Sequence, residues 1–196
     1  MGIGKQAKVL TKKQSEMVLT HLGQHTQNGV RNQLIFLLSI KSGLRAKEIA
    51  NLKWDMVLDC EGAVGDTINL PNSSSKGNSG RVIPLHAKVR ELLIAMLEQA
   101  PIALPDEHII KSQRSKSVSA QVIVNMFQGW YREMGLIGCS SHSGRRTFIT
   151  DAAKKVSQVG GSLRDIQIMV GHSSLQTTQR YIEYDTAAQR ALINLL

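Results

Sequence analysis

The sequence predicts an α+β chain, mostly helical, with one small three-stranded antiparallel sheet. Apolar residues recur at three- and four-residue spacing towards both ends of the chain, the pattern of helices that bury one face. Between Trp54 and Leu85 that periodicity gives way to short β-prone runs separated by turn-forming residues. With 42% hydrophobic content in 196 residues there is enough apolar material for a core of its own.

The elements follow in chain order. Residues 1–9 are basic, contain glycine and lack periodicity, so they are expected to form a flexible leader ahead of a domain spanning 10–196. Thr11 can cap a first helix over 12–22, because its hydroxyl accepts a free amide of the first turn. A second apolar run over 30–42 stops at Gly43, and a short helix over 46–51 leaves Arg45 in a tight connection between two helices. Met56-Val57-Leu58, residues 67–70 and residues 81–85 read as three strands, and the Ser- and Gly-rich loop over 72–80, with Lys76 in it, reads as a mobile hairpin. Helical spacing returns over 86–99 and 119–134, on either side of a stretch bracketed by Pro101 and Pro105. Further helices are expected over 143–156, 162–170, 174–183 and 187–196.

Composition narrows the function classes. The 24 Lys and Arg against 15 Asp and Glu give a net charge of +9, which favours a polyanionic partner such as nucleic acid. Cys60 and Cys139 lie far apart without CxxC or Cys/His spacing, so neither a zinc knuckle nor a disulfide framework is indicated, and a reducing, cytoplasmic setting is expected. The longest apolar run, residues 34–40, falls well short of the roughly 20 residues a membrane helix needs. No membrane partner is expected.

Three stretches in the last third of the chain carry chemistry-bearing side chains: Ser141-His142-Ser143-Gly144-Arg145-Arg146-Thr147-Phe148, Val170-Gly171-His172-Ser173-Ser174, and Thr177-Thr178-Gln179-Arg180-Tyr181-Ile182. Singly each has an ordinary reading: Tyr181 as a packing aromatic, His172 as a helix-end residue, Lys76 as a solvated loop lysine. Together and in this order they resemble the HxxR, (L/V)GH and TTxxYI signatures of the tyrosine recombinases of the phage-integrase family. Ser42-Gly43-Leu44-Arg45-Ala46-Lys47-Glu48-Ile49 resembles that family's first-arginine motif, and Lys76-Gly77-Asn78-Ser79-Gly80-Arg81-Val82-Ile83-Pro84-Leu85 its catalytic-lysine hairpin. The resemblance covers about residues 10–184 and implies a tyrosine-recombinase catalytic domain.

Phosphodiester chemistry explains the residue types. A tyrosine hydroxyl, pKa about 10, is a weak nucleophile at neutral pH, and the phosphodiester's charge repels it. Arg45 and Arg145 can clamp the non-bridging oxygens with planar forks of donors, and His172 can add a further donor. The resemblance makes Tyr181 the nucleophile and Lys76 the acid that protonates the leaving 5′ oxygen. His142 assists in taking the tyrosine proton or in holding the phosphate. No metal and no cofactor are expected, since the motifs lack the carboxylate cluster of two-metal nucleases.

The expected partner is double-stranded DNA with a specific recombination site, held largely through its phosphates, with Lys41, Lys47, Arg146, Lys154 and Lys155 as contacts. The chain is expected as a tetramer on DNA and a monomer in solution, its apolar tail over 187–196 docking on a neighbour as the family's does. Gly144 departs from the apolar residue usual in the family, which suggests a looser helix start. Family members also usually carry an N-terminal helical domain, whereas the family-like region here starts at Leu10, as in a piece of a longer integrase or a short recombinase of the invertase type. Two other readings share these residues: a type IB topoisomerase-like activity, and a non-catalytic DNA-binding regulator of the same fold.

Overall fold

A computed structural model describes residues 6–74, 80–99, 105–112, 115–181 and 193–194. The first helix, α1 (Lys12–His25), starts where expected, because Thr11 and Gln14 form a reciprocal capping box. Helix α2 (Gly29–Ser42) is the central element: Leu34, Ile35, Phe36, Leu37 and Leu38 are all buried, and it packs against α1, α4 (Ala87–Glu98) and α6 (Ser143–Lys155). An all-round apolar surface of this kind belongs to a helix enclosed by others. The five-residue α3 (Ala46–Ala50) packs on α5 (Ala120–Glu133), whose Phe127, Trp130 and Tyr131 fill the same core.

The sheet has two strands among the described residues, not three. Strands β1 (Thr67–Leu70) and β2 (Arg81–Pro84) pair antiparallel, with Ile68 opposite Ile83 and Leu70 opposite Arg81. The expected strand at Met56-Val57-Leu58 is overturned: Trp54–Met56 is a 3-10 turn, and Leu58 makes a lone bridge to Val64. The amides of Met56, Val57 and Leu58 bond locally, to the carbonyls of Lys53 and Trp54, while the preceding Trp54 and Asp55 donate to those of Glu107 and Pro105. The adjacent Met56 and Val57 are both buried, so this segment lacks the alternation of a strand with one face on the core.

Two later helices build a second, smaller core. In it α7 (Leu163–Val170) contributes Ile166 and Val170 and α6 contributes Ile149, with Tyr181 packed alongside just after α8 (Leu175–Gln179). The expected helix over 174–183 is shorter than predicted: it gives way at Arg180 to a turn in which the Tyr181 amide donates to Thr178. Lys76, residues 1–5 of the leader, and the tail over 187–196 apart from Ile193 and Asn194 lie outside the described residues.

The leader departs from expectation in its second half. The Lys8 amide donates to the Gly138 carbonyl, the Ala7 carbonyl accepts from Arg146, and the Leu10 amide donates to Thr147 Oγ1. Residues 6–10 therefore lie against the start of α6 instead of trailing free. Among the described residues no helix is long and apolar enough to cross a membrane.

Candidate active site

The site is assembled around the C-terminal end of α7. Gly171 closes that helix in the left-handed conformation, its amide bonding back to the carbonyls of Gln167 and Ile168, and the carbonyls of Met169, Val170 and Gly171 turn to partners outside the helix. Three arginines from three other elements supply them. Met169 O accepts from Arg81 Nε at 2.7 Å, Val170 O from Arg145 Nη2 at 2.6 Å, and Gly171 O from Arg45 Nη2 at 3.4 Å. The negative end of a helix dipole is a favourable place for cations, and here it gathers them at one point.

Local sequence explains how each arginine arrives. Gly43 ends α2 at φ 65°, turning the chain so that Arg45 becomes the extended residue that opens α3. Arg145 lies on the buried face of the first turn of α6, where Nη1 reaches the Gly43 carbonyl at 2.5 Å. Gly144 lets it get there. A Cβ at that position would sit 2.9 Å from Ser39 Cβ, so the glycine marks a close approach of α6 to α2, and the looser helix start inferred from the sequence is corrected to a tighter one.

A buried carboxylate ties the cluster together. Glu48, on α3, accepts from the Arg45 amide and Nη1, both at 2.8 Å, and from Arg81 Nη1 and Nη2, both at 3.0 Å. Burial alone would raise the Glu48 pKa. The hydrogen bonds and charge of Arg81, then those of Arg45, outweigh it and hold the group below the usual carboxylate range. Arg45 keeps 27% of its side-chain surface exposed while Arg81 keeps 3%, so Arg45 is the member that faces solvent. Burial, then the charge of Arg45, pulls the Arg145 pKa down to about 9, with Glu48 opposing and Arg81 adding to the fall; it is still a cation at neutral pH.

His172 follows Gly171 directly. Its backbone is held by Gln167, which accepts from its amide at 3.1 Å and donates to its carbonyl at 2.9 Å. Nδ1 lies 3.0 Å from the buried Thr178 hydroxyl, and the ring stacks on Tyr181 at 5.5 Å between centroids and 23° between planes. Burial, then the charges of Arg145, Arg45 and Arg81, pushes the His172 pKa down to about 4, so the imidazole is neutral at pH 7. The contact admits either direction; in the tautomer whose Nδ1 accepts from Thr178, the neutral ring carries its proton on Nε2 and can offer it to an anion.

The structure therefore brings Arg45, Arg145, His172 and Tyr181 into one neighbourhood. His142 caps α6, is exposed, and lines a cleft of about 340 Å³ with Tyr181, Arg146, Arg180, Thr177, Ser140, Gln6 and Ala7. Arg146 is committed to Ala7 through Nη1. Lys41, Lys47, Lys154 and Lys155 are exposed, the last two in the final turn of α6, away from the cluster at its start. Glu48, Arg81 and Thr178 stand within the motifs, yet reading by motif passes over them: their importance lies in burial and in partners far along the chain. Among the described residues no three His, Cys, Asp or Glu side chains are grouped to hold a metal.

The fold is that of a tyrosine-recombinase catalytic domain. Over 95% of the chain it superposes on the crystal structure of XerA recombinase with a TM-score of 0.73 at 21% identity, covering 64% of that chain. Over 98% it superposes on XerH site-specific recombinase bound to palindromic difH substrate in a post-cleavage complex, with a TM-score of 0.75 at 20% identity, covering 53% of that chain. In sequence it is similar to the tyrosine recombinase XerC of Rickettsia bellii (strain OSU 85-389), 31% identical over 179 residues, which span 89% of this chain and 55% of that relative. The chain thus spans about half the length of the curated relatives it matches. Residues 8–188 match the model of the phage integrase family, and the chain belongs to that family.

Proposed function

We propose that this chain is the catalytic domain of a site-specific DNA recombinase, of integrase or invertase type, that cuts and rejoins DNA through a 3′-phosphotyrosine. The observation that carries the reading is the convergence of Arg45, Arg81 and Arg145 on the end of α7, beside a His172 ring stacked on Tyr181. Three cations against the single carboxylate of Glu48 leave an excess of positive charge suited to a phosphodiester.

In this reaction Tyr181 Oη attacks phosphorus and the bond to the 5′ oxygen breaks. The phenolic proton passes to His142 or to water, and Lys76 supplies the proton that turns the leaving oxygen into a 5′ hydroxyl. Arg45 and Arg145 hold the non-bridging oxygens as charge builds on them, and His172 donates from Nε2. Attack by a 5′ hydroxyl of a second strand reverses the steps, which conserves bond energy without ATP. Double-stranded DNA carrying a recombination site is the substrate. It is bound through phosphates to basic side chains including Lys41, Lys47, Arg146, Lys154 and Lys155. Strand exchange requires a tetramer on DNA, with the tail over 187–196 docked on a neighbour. The cytoplasm, where chromosomal DNA lies, is its setting. The DNA-bound XerH structure, though it shares only the fold, supports a nucleic-acid ligand.

The test is a pool of nicked duplexes with randomised cores, incubated with the protein in excess chelator. A covalent protein–DNA adduct is expected from the wild-type protein and none from Tyr181→Phe. An adduct that persists in Tyr181→Phe overturns the assignment of the nucleophile. DNA binding without adduct favours the regulator reading, and relaxation of supercoiled DNA of arbitrary sequence favours the topoisomerase-like one.

A further inference from the structure

We propose that Arg81 is a positioning residue: it fixes Glu48 as the anchor of Arg45 and cancels the carboxylate's charge, leaving Arg45 and Arg145 to act on phosphate with their own charge undiminished. The inference rests on the reading above and concerns a residue that need not touch the substrate.

The argument begins in β2. The two-residue alternation of the strand turns Arg81 and Ile83 inward and Val82 outward, so an arginine occupies a core-facing position opposite Leu70. Such a burial requires a full set of partners, and Arg81 has them. Its two terminal nitrogens form a fork on the Glu48 carboxylate, and Nε donates to Met169 O.

Without Arg81, Glu48 would be a buried carboxylate with Arg45 as its close counterion. A phosphate approaching Arg45 would then meet an arginine already neutralised, and would itself be repelled by the carboxylate. With Arg81 in place the charges of Arg45, Arg81, Arg145 and Glu48 leave two cations in excess. Glu48 can still orient Arg45 through the amide and Nη1 bonds. The link to Met169 O keeps the same fork in register with the turn that presents His172. Lysine would bring the charge but not the fork.

The test compares Arg81→Met, Arg81→Lys and the double variant Arg81→Met/Glu48→Gln in the full chain, with thermal unfolding to establish that each is folded. Single-turnover adduct formation separates the rate at saturating DNA from the half-saturating DNA concentration. Calorimetry with inorganic phosphate reports the site's charge without any chemistry at Tyr181. Arg81→Met is expected to slow cleavage about 100-fold at saturating DNA, with half-saturation changed less than about 3-fold and phosphate affinity reduced about 10-fold. Arg81→Lys is expected to fall between it and wild type. The double variant, which removes the carboxylate along with its counterion, is expected to regain about 10-fold in rate and most of the phosphate affinity. Equal losses in the single and double variants, an effect of Arg81→Met below about 3-fold, or failure of both to fold would each overturn the proposal and make Arg81 a purely structural partner. A wild-type protein that forms no adduct, but whose variants bind phosphate in the stated order, overturns the recombinase reading and leaves this inference standing.

Discussion

Replacing Gly43 by Ala separates two costs that the structure places at one residue. At φ 65° and ψ 22° an L side chain pays about 1–2 kcal/mol for the left-handed conformation. The added methyl would also lie 2.7 Å from Phe148 Cδ1 and 3.3 Å from Val170 Cγ1, so α6 and α7 must yield, an overpacking cost of about 1–3 kcal/mol. The sum, about 2–5 kcal/mol, is large against the roughly 5–15 kcal/mol that holds an ordinary domain together. Gly160 provides the control: at φ 72° it has nothing within 4 Å of a built Cβ, so Gly160→Ala is expected to cost only the conformational part, about 1–2 kcal/mol. Urea unfolding of both variants measures the difference. A Gly43→Ala that costs no more than Gly160→Ala would refute the claim that close approach of the two helices, and not backbone conformation alone, demands glycine here. Because the Gly43 and Val170 carbonyls both hold Arg145, surviving Gly43→Ala protein should also cleave more slowly.

Two further outcomes follow from the surroundings of His172. Thr178→Val removes the hydroxyl 3.0 Å from Nδ1 at nearly constant volume and should slow adduct formation about 10- to 100-fold while DNA binding is kept, with Thr178→Ser close to wild type; equal rates in all three proteins would remove Thr178 from the mechanism. The second concerns pH: the folded protein binds the His172 proton only near pH 4 and the unfolded chain near 6.5, so the unfolded state holds more protons between those values and stability falls as pH drops through that window. At a half-buried, partly screened ring the loss amounts to about 1–2 kcal/mol, and urea unfolding of wild type and His172→Asn at pH 7, 5.5 and 4 should show a shallower pH dependence in the variant.

Helix starts were readable because capping is local. Thr11 and Gln14, like Ser162 and Asp165, satisfy each other within three residues, and the hydrophobic period then carries the helix forward. The strand expected at Met56-Val57-Leu58 failed because β-prone residues do not determine which backbone they bond to, and here their amides donate to the carbonyls of Lys53 and Trp54 just upstream, in a tight turn. Composition likewise made residues 6–9 a loose leader, whereas Arg146 and Gly138, more than a hundred residues away, hold them.

Sequence by itself determined the order of the motif residues Arg45, Arg145, His172 and Tyr181 and, through local capping and apolar periodicity, the helices that carry them. Tertiary structure alone decided that Arg81, a strand residue, shares Glu48 with Arg45, that α7 offers three successive carbonyls to three arginines, and that Gly144 is a point of contact between helices. The physical reason is the same in each case. The strength of a buried charge pair or a close helix crossing depends on desolvation and on partners 25 to 126 residues distant, quantities that exist only once the chain has folded.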